Sequence, residues 1–512
     1  YRAGPAWMRV LPSLVMAAAG LWGIGGASYW RDEAATLTAV HRSFGQLVVM
    51  LGHVDAVHGL YYLVMWPLVR VAGAGEVVTR LPSVVAMAVA AGLVAALGRR
   101  LVSPATGLAA GLIFAILPPA SKYAQDARAY AMVIMLAAAA SYLLVRAIGS
   151  TGRRRGWLAG YAACIGVMGA LDAFALPLIV AHAVTVGLAL LRADGGRIWP
   201  GAPGGEPGRG AGSLAAGWLA AVAAAVAFAS PILVLGFAQR GTLGWIRHKP
   251  QGLGAVQVSW QVAGPGGLVV AALVVAAAGL AVSALGGLAR LRAGWPWRLT
   301  ALCLPWLLVP PAVLIGLSFL TPVFTTRYIL YCLPALALLA GAGLTAACRP
   351  LKTMAQRQPQ PGLPAAGWAV GAAALVAVAA FGFGSQLKIR GPGGQGDNLR
   401  RADQIVAANR LPGDALIITG GSARHVPDAY PYGLAQLKPV SQAQNAVAAG
   451  NLNGTVAPPA VVRQRLAGVN RVWLVAGRGV PRAGILDGLG FRRLQRWRVG
   501  SFWLVLYQHG RP

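Results

Sequence analysis

Long apolar blocks dominate the chain and alternate with short polar segments. Most blocks reach about 18 residues, the length at which an α-helix crosses a bilayer. Lipid offers the backbone no hydrogen-bonding partner, so blocks of this length have to be helical. We interpret the first block as a spanning helix rather than a cleavable signal peptide, because many others follow it. The pattern predicts eleven transmembrane helices, at residues 10–28, 81–98, 104–120, 129–148, 157–171, 174–191, 214–237, 265–289, 299–320, 328–347 and 364–383.

The apolar segment Gly59–Ala72 is a separate case. It has about 14 residues and contains Pro67, so it is short for a span. We interpret it as a re-entrant or interfacial helix. With that assignment and a cytoplasmic N-terminus, every inner loop is basic, as the positive-inside rule requires. Counting the segment as a span would instead place Arg99 and Arg100 outside the cytoplasm.

The chain changes character after the last apolar block, at a glycine-rich linker of residues 391–396. A helical pattern follows at residues 398–409. Short segments rich in β-branched and aromatic residues follow at 415–419, 471–475 and 501–507, and this composition favours strands. The sequence therefore predicts a helical membrane domain over residues 1–383 and a small extracytoplasmic α/β domain over residues 384–512.

Composition agrees with a membrane protein, since 57% of residues are hydrophobic and 11% are charged. The formal net charge of +31 resembles that of a nucleic-acid-binding protein. Such proteins cluster their basic residues on one face, whereas many here lie in short loops between apolar blocks, where they set orientation. We therefore exclude nucleic acid as a partner. The four cysteines have no metal-ligand spacing and are interpreted as small apolar residues.

Two acidic residues, Asp32 and Glu33, come directly after the first span, on the predicted outer side. Acids are scarce in this chain, with 13 in total, so a pair at this position is a candidate catalytic group. The alternative is a solvated helix start, because acids favour helix N-termini. Adjacent residues on a helix do not share a face. If the acids act, one faces the site and the other supports it.

A second polar group contains His58 and Tyr61, with Asp55 and Tyr62 beside them. A metal could bind Asp55 and His58, but two ligands are a weak signal. Packing at the membrane interface, where tyrosine is common, is the other interpretation.

Cations form the third and fourth groups, at outer ends of predicted spans. Lys122 and Arg128 lie in an outer loop, and such a cationic pair suits a phosphate group; interfacial anchoring is the alternative. Arg327 lies at the outer end of the predicted span at 328–347, where that helix begins. The dipole does not favour a cation at a helix N-terminus, so Arg327 needs an anionic partner. The loop of residues 238–264, with Trp245, fits a lid and an interfacial loop equally well.

The order of these motifs resembles a known group of enzymes. The motifs are Trp30-Arg31-Asp32-Glu33, His58-Gly59-Leu60-Tyr61-Tyr62, Thr79-Arg80-Leu81-Pro82-Ser83, Gln125-Asp126-Ala127-Arg128-Ala129-Tyr130, and Arg327-Tyr328 before Leu333-Pro334. The chain is similar to bacterial GT-C glycosyltransferases of the dolichyl-phosphate-mannose–protein mannosyltransferase-like group, glycosyltransferase family 39, which is related to the aminoarabinose transferase of lipid A. The resemblance covers most of residues 1–347.

The resemblance implies a GT-C catalytic domain, a polyprenyl-phosphate sugar donor and an active site outside the cytoplasm, in the plasma membrane. It implies that Asp32 is the base and Glu33 its neighbour. Arg128 and Arg327, with Lys122, become donor-phosphate candidates. Other residues of the expected site are His58, Tyr61, Gln125, Tyr328 and Trp245. Many relatives have His-Pro-Pro where this chain has His58-Gly59-Leu60, which puts the role of the histidine in doubt.

The residue types suit this reaction independently of the resemblance. A phosphate leaving group is already stable as an anion, so the site needs one base and several cations. Glycosidases instead need two carboxylates, because their leaving group is protonated. Direct displacement inverts the anomeric centre. A divalent metal such as Mg²⁺ or Mn²⁺ would help but is not required, and no ligand set for it is evident.

The predicted function is transfer of a sugar, mannose or similar, from a polyprenyl-phosphate donor to an extracytoplasmic glycan, lipid or protein. Two alternatives stay open: a polyprenyl-lipid transporter or flippase, and a non-catalytic envelope assembly protein. A transporter would place polar groups along a path through the bilayer or show inverted repeats, and the sequence shows neither.

Overall fold

The computed structural model describes residues 7–150, 152–191, 209–241, 244, 246, 297–348, 365–419, 421–477 and 484–510. The predicted span at 265–289 and Trp245 lie outside these residues. The helices of the membrane part are α1 (Trp7–Leu21), α2 (Arg31–Val40), α3 (Phe44–His53), α4 (Gly59–Ala72), α5 (Glu76–Leu101), α6 (Pro104–Ile116), α7 (Pro118–Ala124), α8 (Tyr130–Ile148), α9 (Arg154–Leu171), α10 (Pro177–Leu191), α11 (Arg209–Ala238), α12 (Trp297–Ser318), α13 (Leu333–Ala347) and α14 (Ala365–Arg390).

The C-terminal part mixes helices and strands. Its helices are α15 (Leu399–Asn409), α16 (Val426–Ala429), α17 (Pro459–Leu466) and α18 (Gly484–Asp487). Its strands are β1 (Ala415–Ile418), β2 (Lys438–Pro439), β3 (Gln442–Gln444), β4 (Thr455–Val456), β5 (Arg471–Ala476), β6 (Phe491–Val499) and β7 (Phe502–His509). The predicted fold class, a polytopic helical membrane protein with a small C-terminal α/β region, is confirmed.

Seven of the described helices are long and apolar enough to cross a membrane: Glu76–Leu101, Tyr130–Ile148, Ala173–Leu191, Gly212–Ala238, Trp297–Ser318, Thr326–Ala347 and Ala365–Arg390. The pair α6 and α7 makes an eighth if the two are counted as one span bent by 64°. The bend has a local cause, since Leu117 precedes Pro118 and has an extended ψ of 125°. The ring of a proline disfavours the helical conformation in the residue before it. The number of eleven spans stays a prediction.

The segment expected to be re-entrant or interfacial forms helix α4 over Gly59–Ala72, with Pro67 inside it. It belongs to the shorter apolar helices, below the length of the seven candidate spans.

The chain divides into two compact units. Unit 1 comprises Tyr1–Trp22, Leu81–Gln125 and Ala129–Gln386, and unit 2 comprises Gly23–Arg80, Asp126–Arg128 and Leu387–Pro512. Unit 2 thus combines the C-terminal part with segments that the prediction assigned to residues 1–383. As a statement about separate domains, the division between residues 383 and 384 stays a prediction.

Close contacts between small residues hold the helices of unit 1 together. A Cβ on Gly98 of α5 would lie 2.8 Å from Cα of Gly107 in α6. A Cβ on Gly341 of α13 would lie 2.6 Å from the backbone nitrogen of Ala110. Helices in lipid associate through close packing and hydrogen bonds, and small residues permit that approach.

A five-stranded sheet in the order β2-β1-β5-β7-β6 forms the centre of the C-terminal part of unit 2. Strand β1 pairs parallel with β2 and β5, whereas β7 pairs antiparallel with β5 and β6. Val472, Leu474 and Val505 contribute to its buried core. Three of the strands, β1, β5 and β7, lie where the sequence predicted strands.

Candidate active site

Helix α2 of unit 2 carries the two adjacent acids in its first turn. Trp30 precedes the helix in an extended conformation, with φ −105° and ψ 171°, and its backbone N–H donates to Glu33 at 3.3 Å. The two acids then lie in the first turn, where the helix dipole favours negative charge. Asp32 is half-buried and Glu33 is buried. The two carboxylates therefore occupy different environments, as adjacency on a helix requires.

Glu33 is sealed in an ion pair with Arg80, which lies in the first turns of α5. Both side chains are 0% exposed, and Arg80 Nε and Nη2 each donate to a different carboxylate oxygen at 2.9 Å. Arg80 also donates to the carbonyl oxygens of Ile24 and Ala27 at 2.7 and 2.9 Å. A bidentate pair of this kind fixes geometry as well as charge. Glu33 thus ties the start of α2 to the start of α5.

The segment Asp126–Arg128 packs against the same carboxylate. The backbone N–H of Ala127 donates to Glu33 Oε1 at 2.9 Å. The indole Nε1 of Trp30 donates to Asp126 at 3.0 Å. Burial, followed by repulsion from Glu33, raises the pKa of Asp126 to about 7. Asp126 is therefore an acid that changes charge near neutral pH inside this cluster.

Arg128 lies next to the acidic end of α2. Its Nη1 donates to the backbone carbonyl of Asp32 at 3.3 Å, and its Nη2 lies 2.7 Å from His58 Nε2. His58 in turn lies 3.8 Å from the carboxylate of Asp55. Arg128 is only 5% exposed, so its charge acts in a weakly screened environment. The site thus combines a half-buried carboxylate with a buried cation.

Asp55 carries backbone strain at this position. Its φ of 62° is the only positive value of a non-glycine residue in the described chain. Its carboxylate accepts the hydroxyl of Tyr62 at 2.5 Å, which holds the residue in place. Strained residues that persist are over-determined by their surroundings, and they concentrate at functional sites.

Tyr61 lies in the first turn of α4 and is 1% exposed. Within the described residues its hydroxyl has no hydrogen-bond partner. Leaving a buried hydroxyl unpaired costs about 1–3 kcal/mol, so such a group in a native fold calls for an explanation.

The remaining expected site residues within the described chain belong to unit 1. Gln125 is buried and donates its amide to the carbonyls of Gly20 and Trp22, at 2.9 and 2.7 Å, so it fastens the end of α1. The ammonium of Lys122 lies 5.8 Å from the ring centre of Tyr123.

Arg327 and Tyr328 lie in the 3₁₀ segment Thr326–Cys332 of unit 1. The guanidinium of Arg327 lies 5.8 Å from the ring centre of Tyr328. Tyr328 itself stacks on Phe174, with ring centres 4.4 Å apart. Trp245 lies outside the described residues, so its predicted place in a lid or loop stays a prediction.

Known proteins share both a sequence segment and the fold. Residues 59–199 match the family model for dolichyl-phosphate-mannose-protein mannosyltransferase. The fold is similar to that of apo ArnT from Cupriavidus metallidurans, with a TM-score of 0.56 and 14% identity over 97% of each chain. ArnT bound to undecaprenyl phosphate gives a TM-score of 0.56 and 14% identity over 98% of each chain.

The oligosaccharyltransferase AglB from Archaeoglobus fulgidus, in complex with an inhibitory peptide and a dolichol-phosphate, has a TM-score of 0.51. Its identity is 11%, over 92% of this chain and 69% of AglB. A search of curated proteins found no match to the sequence. The chain has the GT-C fold. The fold and the family match over residues 59–199 agree with the resemblance that the motif order indicated.

Sequence reasoning missed two members of the cluster in this GT-C protein. Arg80 was noted only as part of a motif, yet it neutralises Glu33. Asp126 was noted in the same way, and it lies against Trp30. Charge inside an apolar block was the available signal for Arg80, because an ionisable residue at the start of a span needs a partner.

The described residues contain no group of three or more His, Cys, Asp or Glu side chains that could hold a metal ion. In the pair considered from sequence, Asp55 accepts a hydrogen bond from Tyr62 and His58 contacts Arg128.

Proposed function

We propose that this protein transfers a sugar from a polyprenyl-phosphate carrier to a hydroxyl group outside the cytoplasm, with inversion at the anomeric carbon. The observation that carries the proposal is the difference in environment between the two acids of α2. Arg80 neutralises Glu33 in a sealed pair, whereas Asp32 is half-buried with Arg128 beside its backbone. One base next to one cation is the minimum that displacement of a phosphate requires.

The reaction balances with Asp32 as the base. The acceptor hydroxyl gives its proton to the Asp32 carboxylate while its oxygen bonds to the anomeric carbon. The bond from that carbon to the phosphate oxygen breaks, and polyprenyl phosphate leaves as an anion. The phosphate needs no proton to leave, so Glu33 has no acid role to fill, which agrees with its sealed ion pair.

Arg128, Lys122 and Arg327 are the proposed donor-phosphate residues. Arg128 is buried and keeps its place beside Asp32, so its charge acts with little screening by solvent. Structures with the same fold support a lipid phosphate ligand, since ArnT was solved with undecaprenyl phosphate and AglB with a dolichol-phosphate. Guanidinium groups suit phosphate because they donate in a planar fork.

We place the active site and the C-terminal part outside the cytoplasm, at the plasma membrane. The basic residues of the predicted inner loops support this orientation. The transferred sugar is mannose or a similar sugar, and the acceptor is an envelope glycan, lipid or protein.

The test is release of undecaprenyl phosphate by the purified protein from a panel of undecaprenyl-phosphate sugars, beginning with mannose. Arg128→Ala should weaken donor binding or slow transfer by about 10- to 150-fold, equivalent to about 1.5–3 kcal/mol for a charged hydrogen bond. Arg153→Ala is the matched control. Arg153 is exposed in unit 1, and its hydrogen bond to Ser150 comes from its backbone N–H, which the substitution keeps. A correctly folded wild-type protein that cleaves no donor of the panel would overturn the proposed function.

A further inference from the structure

The C-terminal part of unit 2 contacts the acidic helix at a buried threonine, as well as at Arg31, which pairs with Asp397. The hydroxyl of Thr38, in α2, lies 2.6 Å from a carboxylate oxygen of Asp428 and 3.1 Å from Nδ1 of His425. Thr38 and His425 are each 5% exposed. Asp32 lies on the same helix, in its first turn. A histidine from the far end of the sequence is therefore anchored on the helix that carries the proposed base.

The hydrogen bonds fix which nitrogen of the imidazole carries the proton. Thr38 has one hydroxyl proton, and a carboxylate can only accept. The bond to Asp428 is short and charge-assisted, and is stronger than the 3.1 Å bond to the carbonyl of Ala34. Thr38 therefore donates to Asp428, and His425 must donate from Nδ1 to Thr38. The neutral ring then has its lone pair on Nε2.

Burial of this imidazole favours its neutral form. Burial lowers the pKa of His425, while the carboxylates of Asp428, Asp32 and Asp55 act in the opposite direction and Arg42 acts with burial. The charges of Asp32 and Asp55 reach the ring because both residues lie in its neighbourhood. Among the described residues, the ring makes its hydrogen bond to Thr38. In the neutral ring Nε2 is thus a hydrogen-bond acceptor, and the ring is close enough to Asp32 and Asp55 to respond to their charges.

We infer that His425 accepts a hydrogen bond at Nε2 from a hydroxyl of the acceptor, so that the C-terminal part supplies one wall of the acceptor site. This inference rests on the proposed function. The attacking hydroxyl has one proton, which goes to Asp32, so the hydroxyl that His425 binds is a second one. The acceptor is therefore a polyhydroxyl compound, a glycan, rather than a peptide that offers a single serine or threonine.

Two substitutions test Nε2 and Nδ1 of His425 separately, where Nδ1 is the nitrogen that bonds to Thr38. In His425→Asn the amide nitrogen takes the place of Nδ1, so the bond to Thr38 survives and the outer acceptor is lost. In His425→Gln the amide oxygen reaches the place of Nε2, so the outer acceptor survives and the anchor is lost. The inference predicts that Gln retains acceptor use better than Asn. A purely structural role for His425 predicts the reverse order.

The assay compares two fates of the same radiolabelled undecaprenyl-phosphate mannose, or of the panel sugar that the wild type uses. The first is hydrolysis by water with no acceptor present. The second is transfer to the glycan fraction of envelopes from cells that lack this protein. His425→Asn should raise the acceptor concentration for half-maximal transfer by about 3- to 10-fold, the value of one neutral hydrogen bond. Its hydrolysis rate should stay within about twofold.

The matched control is His53→Asn, because His53 is exposed and contacts the carbonyl of Val49 in its own helix. Equal losses of hydrolysis and transfer in His425→Asn, unchanged transfer, or better activity of Asn than of Gln would each overturn the inference. Label transferred to a single-hydroxyl peptide fraction but not to glycan would also overturn it. A wild type that neither hydrolyses nor transfers any panel donor would instead remove the proposed function, and the inference with it.

Discussion

The Glu33–Arg80 pair gives a sharp prediction about stability. Glu33→Gln keeps the size of the side chain and removes its charge. Arg80, at 0% exposure, would then be a buried cation without its carboxylate. In addition, the amide NH₂ of the glutamine would face an N–H group of Arg80, Ala127 or Trp30, each of which now donates a hydrogen bond to Glu33. Both effects act against the folded state.

The magnitude follows from the burial. Removing one partner of a buried pair costs about 3–5 kcal/mol, because an uncompensated charge remains. That is a large share of the 5–15 kcal/mol that typically stabilises a folded protein. Arg80→Met should lower the free energy of unfolding by about as much, since it leaves the Glu33 carboxylate buried without its cation. The double variant should recover much of the loss, because neither charge remains buried, and residues in contact couple by about 0.5–3 kcal/mol.

The assay is thermal unfolding in detergent, followed by intrinsic tryptophan fluorescence, for the wild type, both single variants and the double variant. Asp487→Asn is the control, since Asp487 is exposed and surface changes are usually within about 0.5 kcal/mol. Single variants as stable as the wild type, or a double variant that loses the sum of both single losses, would refute the view that this pair holds α2 in place.

Two further predictions concern proton binding and orientation. The pKa of Asp126 is raised to about 7 by burial and by Glu33, so its protonated form stabilises the fold. That stability is lost as pH rises from the unfolded value of about 3.9 through 7. Asp126→Asn should therefore flatten the dependence of unfolding temperature on pH in this window, and an unchanged slope would contradict it. Asn445 is exposed in the C-terminal part, so Asn445→Cys should react with an impermeant maleimide in intact cells; labelling only after lysis would reverse the proposed topology.

The fold was predictable where one physical requirement acts on a whole segment. A bilayer requires about 18 apolar residues in helical form, so apolar length alone predicted spans at the seven described helices that are long and apolar enough to cross it. Strands β1 and β5 were predictable from buried β-branched residues. Strand β6 was not, because it is an edge strand whose side chains are mostly exposed. Arginines at positions 492, 493, 496 and 498 hide any apolar alternation, and charge of this kind is common on sheet edges.

The site was predictable only in part, because its contacts join distant positions. Asp32 and Glu33 are scarce acids next to a span, and this local signal was enough to select them. Their different environments depend on Arg80, which is 47 residues from Glu33. The contact of Thr38 with His425 spans 387 residues, and no local pattern predicts it. Tertiary packing decides which of two adjacent carboxylates is fully buried and which is half-buried.

The most direct test of the account is Asp32→Asn in the purified protein, with sugar transfer and donor binding measured side by side. The amide keeps the size of the side chain and removes its basicity, so donor affinity should stay close to that of the wild type. Transfer should fall by at least about a hundredfold, since general-base catalysis typically contributes about 10²–10⁴-fold. An Asp32→Asn protein that transfers sugar at the wild-type rate would contradict the assignment of the base and the mechanism built on it.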